Sequence, residues 1–99
     1  MPKDADQAFY DRADAHIHLS NEQMKEAIPG EVSASMLFSS ARFNTWLTAA
    51  GVESGAELAA KRDENVAYSV EQYRLALLEN MDNYIEYFNQ YMQKKTHND

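Results

Sequence analysis

Residues 33–50 read SASMLFSSARFNTWLTAA, and Arg42 is the only charge among them. The spacing of Met36, Phe43, Trp46, Leu47 and Ala50 is helical. Small residues (Ser35, Ser39, Ser40, Ala41, Thr45, Thr48, Ala49) fill most of the remaining circumference. A surface helix keeps a charged face toward water, so a helix this plain is expected to be covered on several sides. Its serines and threonines can bond back to helix carbonyls, so burial need not leave them unsatisfied. Ser33 is the expected N-cap. Gly51 is the expected residue beyond the C-terminus, in a Schellman arrangement that sets Val52 against Leu47.

Outward from this stretch, the breakers are sparse. Apart from Pro2, the prolines and glycines are Pro29-Gly30, Gly51 and Gly55, which divide the chain into three long segments. The first helix is predicted over about residues 5–27. It opens at an Asp4-Ala-Asp-Gln7 capping box and stops where Ile28 precedes proline. Phe9, Tyr10, Ala13, Ile17, Ser20, Met24 and Ala27 share one face of it, and Asp11, Asp14, His18, Glu22 and Lys25 the other.

The third helix is predicted from 55 to 92, after a second capping box, Ser54-Gly-Ala-Glu57. At about 57 Å it outruns a first helix of about 36 Å, so it either overhangs its partners or breaks, with Asp63-Glu-Asn65 the place for a break. Val66, Val70, Tyr73, Leu77, Met81, Ile85, Phe88 and Met92 form its core stripe, with Tyr84, Tyr87 and Tyr91 beside it. Together they span roughly 180°, wider than the roughly 100° that one partner helix needs. The expected fold is therefore all-α: a single domain, residues 1–99, with two shorter helices packed on one long C-terminal helix.

Composition narrows the function classes. The 99 residues are one domain's worth, and zero cysteines exclude disulfides, thiolate metal sites and cysteine nucleophiles. The net charge of -7 opposes docking on nucleic acid or an anionic membrane. It divides as -3, -1 and -3 over residues 1–30, 31–56 and 57–99, so it is no detachable acidic tail. Met1-Pro2-Lys3-Asp4 has no apolar leader pattern, and no run approaches the roughly 20 apolar residues of a membrane span. A cytoplasmic location is the expectation.

Three stretches carry a resemblance: FYDRADAHI at 9–17, then VSAS at 32–35 with ARFN at 41–44, then EQYR at 71–74 with LEN at 78–80. In this pattern the chain resembles a family of short, mostly proteobacterial helical proteins classed only as a domain of unknown function. The resemblance implies an all-helical fold and a bacterial source. It implies no catalytic or binding residue.

The residues themselves offer little chemistry. His16 and His18 point about 200° apart on a helix and cannot share an ion, and no Glu-x-x-His pair of the bundle di-metal kind occurs. Asp14, His18 and Glu22 share a face, but a solvated helix face looks the same. His97 is the third histidine, placed in a frayed tail. No metal site and no cofactor are expected, and no serine sits in a nucleophile elbow, so no enzyme is expected. His16, Arg42, Glu71 and Arg74 form a candidate structural polar cluster. Arg42, its stem buried at the flank of the core, is expected to pair with Glu71 first and Asp14 second. Tyr84, Ile85, Tyr87, Phe88, Tyr91 and Met92 form a candidate subunit interface, because tyrosine buries ring area while its hydroxyl finds a partner.

The composite expectation is a dimeric, non-catalytic interaction or scaffold protein. A small-ligand or metal-binding bundle is the first alternative, and an acidic decoy that mimics nucleic acid the second.

Overall fold

The computed structural model describes residues 5–93, and within them the chain is helical without strands: α1 Gln7–Gln23, α2 Pro29–Ala50, α3 Gly55–Glu86 and α4 Phe88–Met92. The predicted all-α class, with a long helix toward the C-terminus, is the observed one. The chain divides into two compact units at Ala60/Lys61, inside α3 rather than at a loop. The first unit holds α1, α2 and the opening of α3, and the second holds the rest of α3 with α4.

In the first unit α1 starts at Asp6, whose carboxylate accepts from the Phe9 N–H at 2.9 Å. The predicted Asp4 cap lies outside the described residues. The helix ends earlier than residue 27, in a tightened turn where the Lys25 N–H bonds Glu22 O and the Glu26 N–H bonds Gln23 O, at 3.2 and 3.1 Å. α2 in turn starts four residues before Ser33. Pro29 occupies the first helical position, where its missing N–H costs nothing, and the Glu31 carboxylate accepts from the Ile28 N–H at 3.2 Å.

α1 and α2 pack as a hairpin near the connecting turn. Val32, 5% exposed, is the buried apolar side chain there, and the Ser20 hydroxyl reaches the Met36 sulfur at 3.7 Å. Truncating the one well-covered side chain should therefore be felt. Val32→Ala is expected to lower stability by about 1 to 2 kcal/mol, read as a shift in urea midpoint at unchanged slope. A loss within 0.3 kcal/mol, roughly the spread of neutral surface changes, would show that the hairpin contact carries no weight.

The far end of α2 departs from its expected C-cap. Gly51 has φ -92° and is not left-handed. Its N–H bonds Thr48 O at 3.1 Å and the Val52 N–H bonds Ala49 O at 3.2 Å, so a 3₁₀-type turn closes the helix instead of a Schellman motif. Along α2 the threonines behave as expected: Thr45 donates to Ala41 O at 2.8 Å and Thr48 to Asn44 O at 3.3 Å.

α3 opens on Ser54, whose hydroxyl accepts from the Glu57 N–H at 3.1 Å, while the Glu57 carboxylate accepts from the Glu53 N–H at 3.2 Å. The helix then runs 32 residues, about 48 Å. It passes through Asp63-Glu-Asn65 without a break, and the Asn65 amide bonds Lys61 O at 2.9 Å from within the helix. The break falls at Tyr87, with φ -111° and ψ 28°, where α4 begins.

Candidate interaction surface

Large apolar side chains of both units face solvent. On α2, Phe38, Phe43, Trp46 and Leu47 are more than half exposed, Trp46 at 62%. The expectation of a helix covered on several sides is thus corrected: α1 covers α2 near the turn at Val32 and leaves these positions open. Phe43 and Trp46, one turn apart, hold their rings stacked with centroids at 6.2 Å and planes 16° from parallel. Phe38, Arg42, Thr45 and Trp46, at i, i+4, i+7 and i+8, line an open depression of about 340 Å³ on the same helix. Phe38 lies outside the stripe of Met36, Phe43, Trp46, Leu47 and Ala50 expected from the sequence. Its spacing of eight from Trp46 was the available signal.

In the second unit the six candidate interface residues lie around the break. Tyr84, Tyr87, Tyr91 and Met92 are each 42 to 47% exposed, Phe88 slightly more, and Ile85 reaches 74%. Tyr91 packs its ring against Tyr84 at 4.8 Å between centroids and against Tyr87 at 5.7 Å. Seven residues of uninterrupted helix rise about 10.5 Å, so the Tyr84–Tyr91 contact requires the rings to lean together across Tyr87. Such aromatic pairs are worth about 1 kcal/mol each beyond their buried area. The break therefore has a local reward: a tyrosine cluster presented on one side of the helix end.

The candidate polar cluster is reached only in part. Glu71 and Arg74 come together as a bidentate pair one turn apart on α3, with Nε to Oε1 at 2.7 Å and Nη2 to Oε2 at 2.8 Å. Both side chains stay about half exposed. Both Glu71 oxygens are thus held by Arg74 on its own helix. Arg42 is exposed, lines the depression with Trp46 and has no ion pair among the described residues; an exposed guanidinium needs none. His16 is exposed on α1. Among the described residues no group of three His, Asp or Glu side chains could hold a metal ion, and no helix is long and apolar enough to cross a membrane.

The hydrogen bond from Arg74, reinforced by its charge, holds the Glu71 carboxyl below its ordinary range against a small opposing effect of burial. The same pairing raises Arg74. A carboxyl lowered by folding contributes stability above its unfolded value, and that contribution fades as pH falls through the lowered folded value. Arg74→Gln is expected to move the Glu71 titration midpoint upward when side-chain carbons are followed by NMR. An unchanged midpoint would mean that the pair does not persist in solution.

Residues 9–85 match the model of the family described as Protein of unknown function (DUF3144). The chain belongs to that family. A similar solved structure, the NMR structure of the protein NB7890A from Shewanella sp., is 35% identical, and the match covers 95% of this chain and 100% of that one with a TM-score of 0.74. No curated protein matches. The family match spans the three quoted sequence stretches and all of α2, and it ends at Ile85, before the tyrosine-rich break.

Proposed function

We propose that this DUF3144 chain is a bacterial, cytoplasmic, non-catalytic interaction protein that works as a self-associated helical assembly. One observation carries the reading: among the described residues Val32 is the buried apolar side chain, while large aromatic and aliphatic groups along α2, α3 and α4 stay exposed, Phe38, Trp46 and Val70 by more than 60%. Monomeric soluble proteins rarely show contiguous apolar patches beyond a few hundred Å². At about 2 kcal/mol for covering each large side chain, several such groups on one helix supply more than enough to hold two copies together.

The second unit makes the case by itself, since one helix and a five-residue extension have no opposing face of their own to bury a stripe against. The net charge of -7 keeps such an assembly soluble and discriminates against nucleic acid and anionic lipid as partners. Multi-angle light scattering of the untagged chain at micromolar concentration should give about twice 11.3 kDa. A mass at the monomer value over a hundredfold range of concentration removes the proposal.

A further inference from the structure

We infer that self-association runs through α3 in antiparallel register, with the two-fold axis passing near Leu77. The inference rests on the self-association just proposed and specifies its geometry.

α3 is continuous from Gly55 to Glu86, so its apolar positions can be placed on one uninterrupted wheel. Val66, Val70, Tyr73, Leu77, Met81 and Tyr84 fall within an arc of about 80°, the width of one partner helix. All six are half exposed or nearly so, Leu77 at 46%. The pattern repeats every eleven residues: Val66 recurs as Leu77, Val70 as Met81 and Tyr73 as Tyr84. An eleven-residue repeat has about 3.67 residues per turn, so it keeps a seam on one side of a nearly straight helix and suits close pairing with a second helix.

Side-chain size sets the direction. The seam is thin at its start, with Val66 and Val70, and thick at its end, with Met81 and Tyr84. Parallel pairing would set valine against valine and tyrosine against tyrosine, leaving a gap at one end and crowding at the other. Gaps and overpacking each cost stability in a close-packed interface. Antiparallel pairing about Leu77 sets Val70 opposite Tyr84 and Tyr73 opposite Met81, with Leu77 against its own copy. The summed widths then stay even along the seam.

Charge agrees with size. The cations of α3 are Lys61, Arg62 and Arg74, all in its first two-thirds, whereas Glu79, Asp82 and Glu86 are the only charges that follow. Parallel pairing lays these three acids beside three more. Antiparallel pairing about Leu77 sets residues 79–86 opposite residues 68–75, which carry Glu71 and Arg74 and no net charge. Like charges brought together across an interface are penalised, so both properties select the same orientation.

The chain has no cysteine, which permits single-site labelling. Nitroxide labels at Ala76→Cys and, separately, Glu64→Cys, each checked for a native circular dichroism spectrum, report the distance between copies by double electron–electron resonance. Antiparallel pairing about Leu77 predicts a short distance at residue 76, and at residue 64 a separation near 40 Å, from about 1.5 Å of rise over thirteen residues on each side of the axis. A distance at residue 64 far below about 40 Å, set by the helix spacing and the two outward-facing labels alone, would establish parallel pairing and overturn this inference while leaving self-association intact. Dimeric mass with a long distance at residue 76 would place the contact elsewhere and also overturn it. Monomeric mass with no dipolar signal at either site would remove the self-association reading itself.

Discussion

Leu77→Glu is expected to leave a species of 11.3 kDa where the parent chain gives twice that mass. Leu77 sits at the centre of the seam and meets its own copy, so one substitution acts twice. Losing about 2 kcal/mol of apolar burial per protomer, and adding two carboxylates that face each other, should weaken association by roughly a thousandfold or more. Glutamate has nearly the helix propensity of leucine, so α3 itself should persist. Leu75→Glu makes the same chemical change about 160° away on the wheel and should leave the mass unchanged. Light scattering of the two variants side by side reads the outcome. A dimeric Leu77→Glu protein would exclude this seam as the contact.

Glu64→Pro should have the second largest effect. It lies in the stretch where the sequence suggests a break and where the structure has continuous helix. Proline within a helix removes one i to i-4 hydrogen bond and clashes with the preceding turn, at a cost of about 3 kcal/mol. That cost should appear as a lower urea midpoint together with reduced ellipticity at 222 nm, and Glu64→Ala should show neither. If the helix were interrupted here, proline would be tolerated with a loss under 1 kcal/mol, well below the helix-interior penalty.

The contrast at residues 63–65 shows what could be read without coordinates. Helical periodicity identified every long segment, because Gly and Pro are few and the apolar spacings are regular. Boundaries were harder, since they depend on which of two competing roles a residue takes. Pro29 looked like an interruption and is the first residue of α2, with Glu31 closing the Ile28 N–H as the supporting sign. Asp63-Glu-Asn65 looked weak, yet a few tenths of a kcal/mol per residue do not break a helix, and Asn65 spends its amide on the Lys61 carbonyl. Tyr87 carries no breaker at all. Its interruption is tied to ring contacts among Tyr84, Tyr87 and Tyr91, which spacing does not reveal.

The polar residues illustrate a second limit. Arg74 and Glu71 are three apart and could be paired on the helix surface from sequence, as they are. The expectation of a distant acid for Arg42 depends on its helix being covered. Arg42 is exposed and lines the same open depression as Trp46, where water can reach its charge. The composition of α2 correctly marked a helix unlike a solvated one, but composition does not say whether the covering surface belongs to the same chain or to another copy.

Folding coupled to association gives the most direct test of the central claim. Urea unfolding should be followed at two protein concentrations about a hundredfold apart, using the unmodified chain. If the apolar faces are covered by a second copy, the more concentrated sample should be more stable by about 2.7 kcal/mol, with its midpoint displaced to higher urea. Superimposable curves, at concentrations spanning the micromolar range, would contradict the account and show a chain that holds its fold alone.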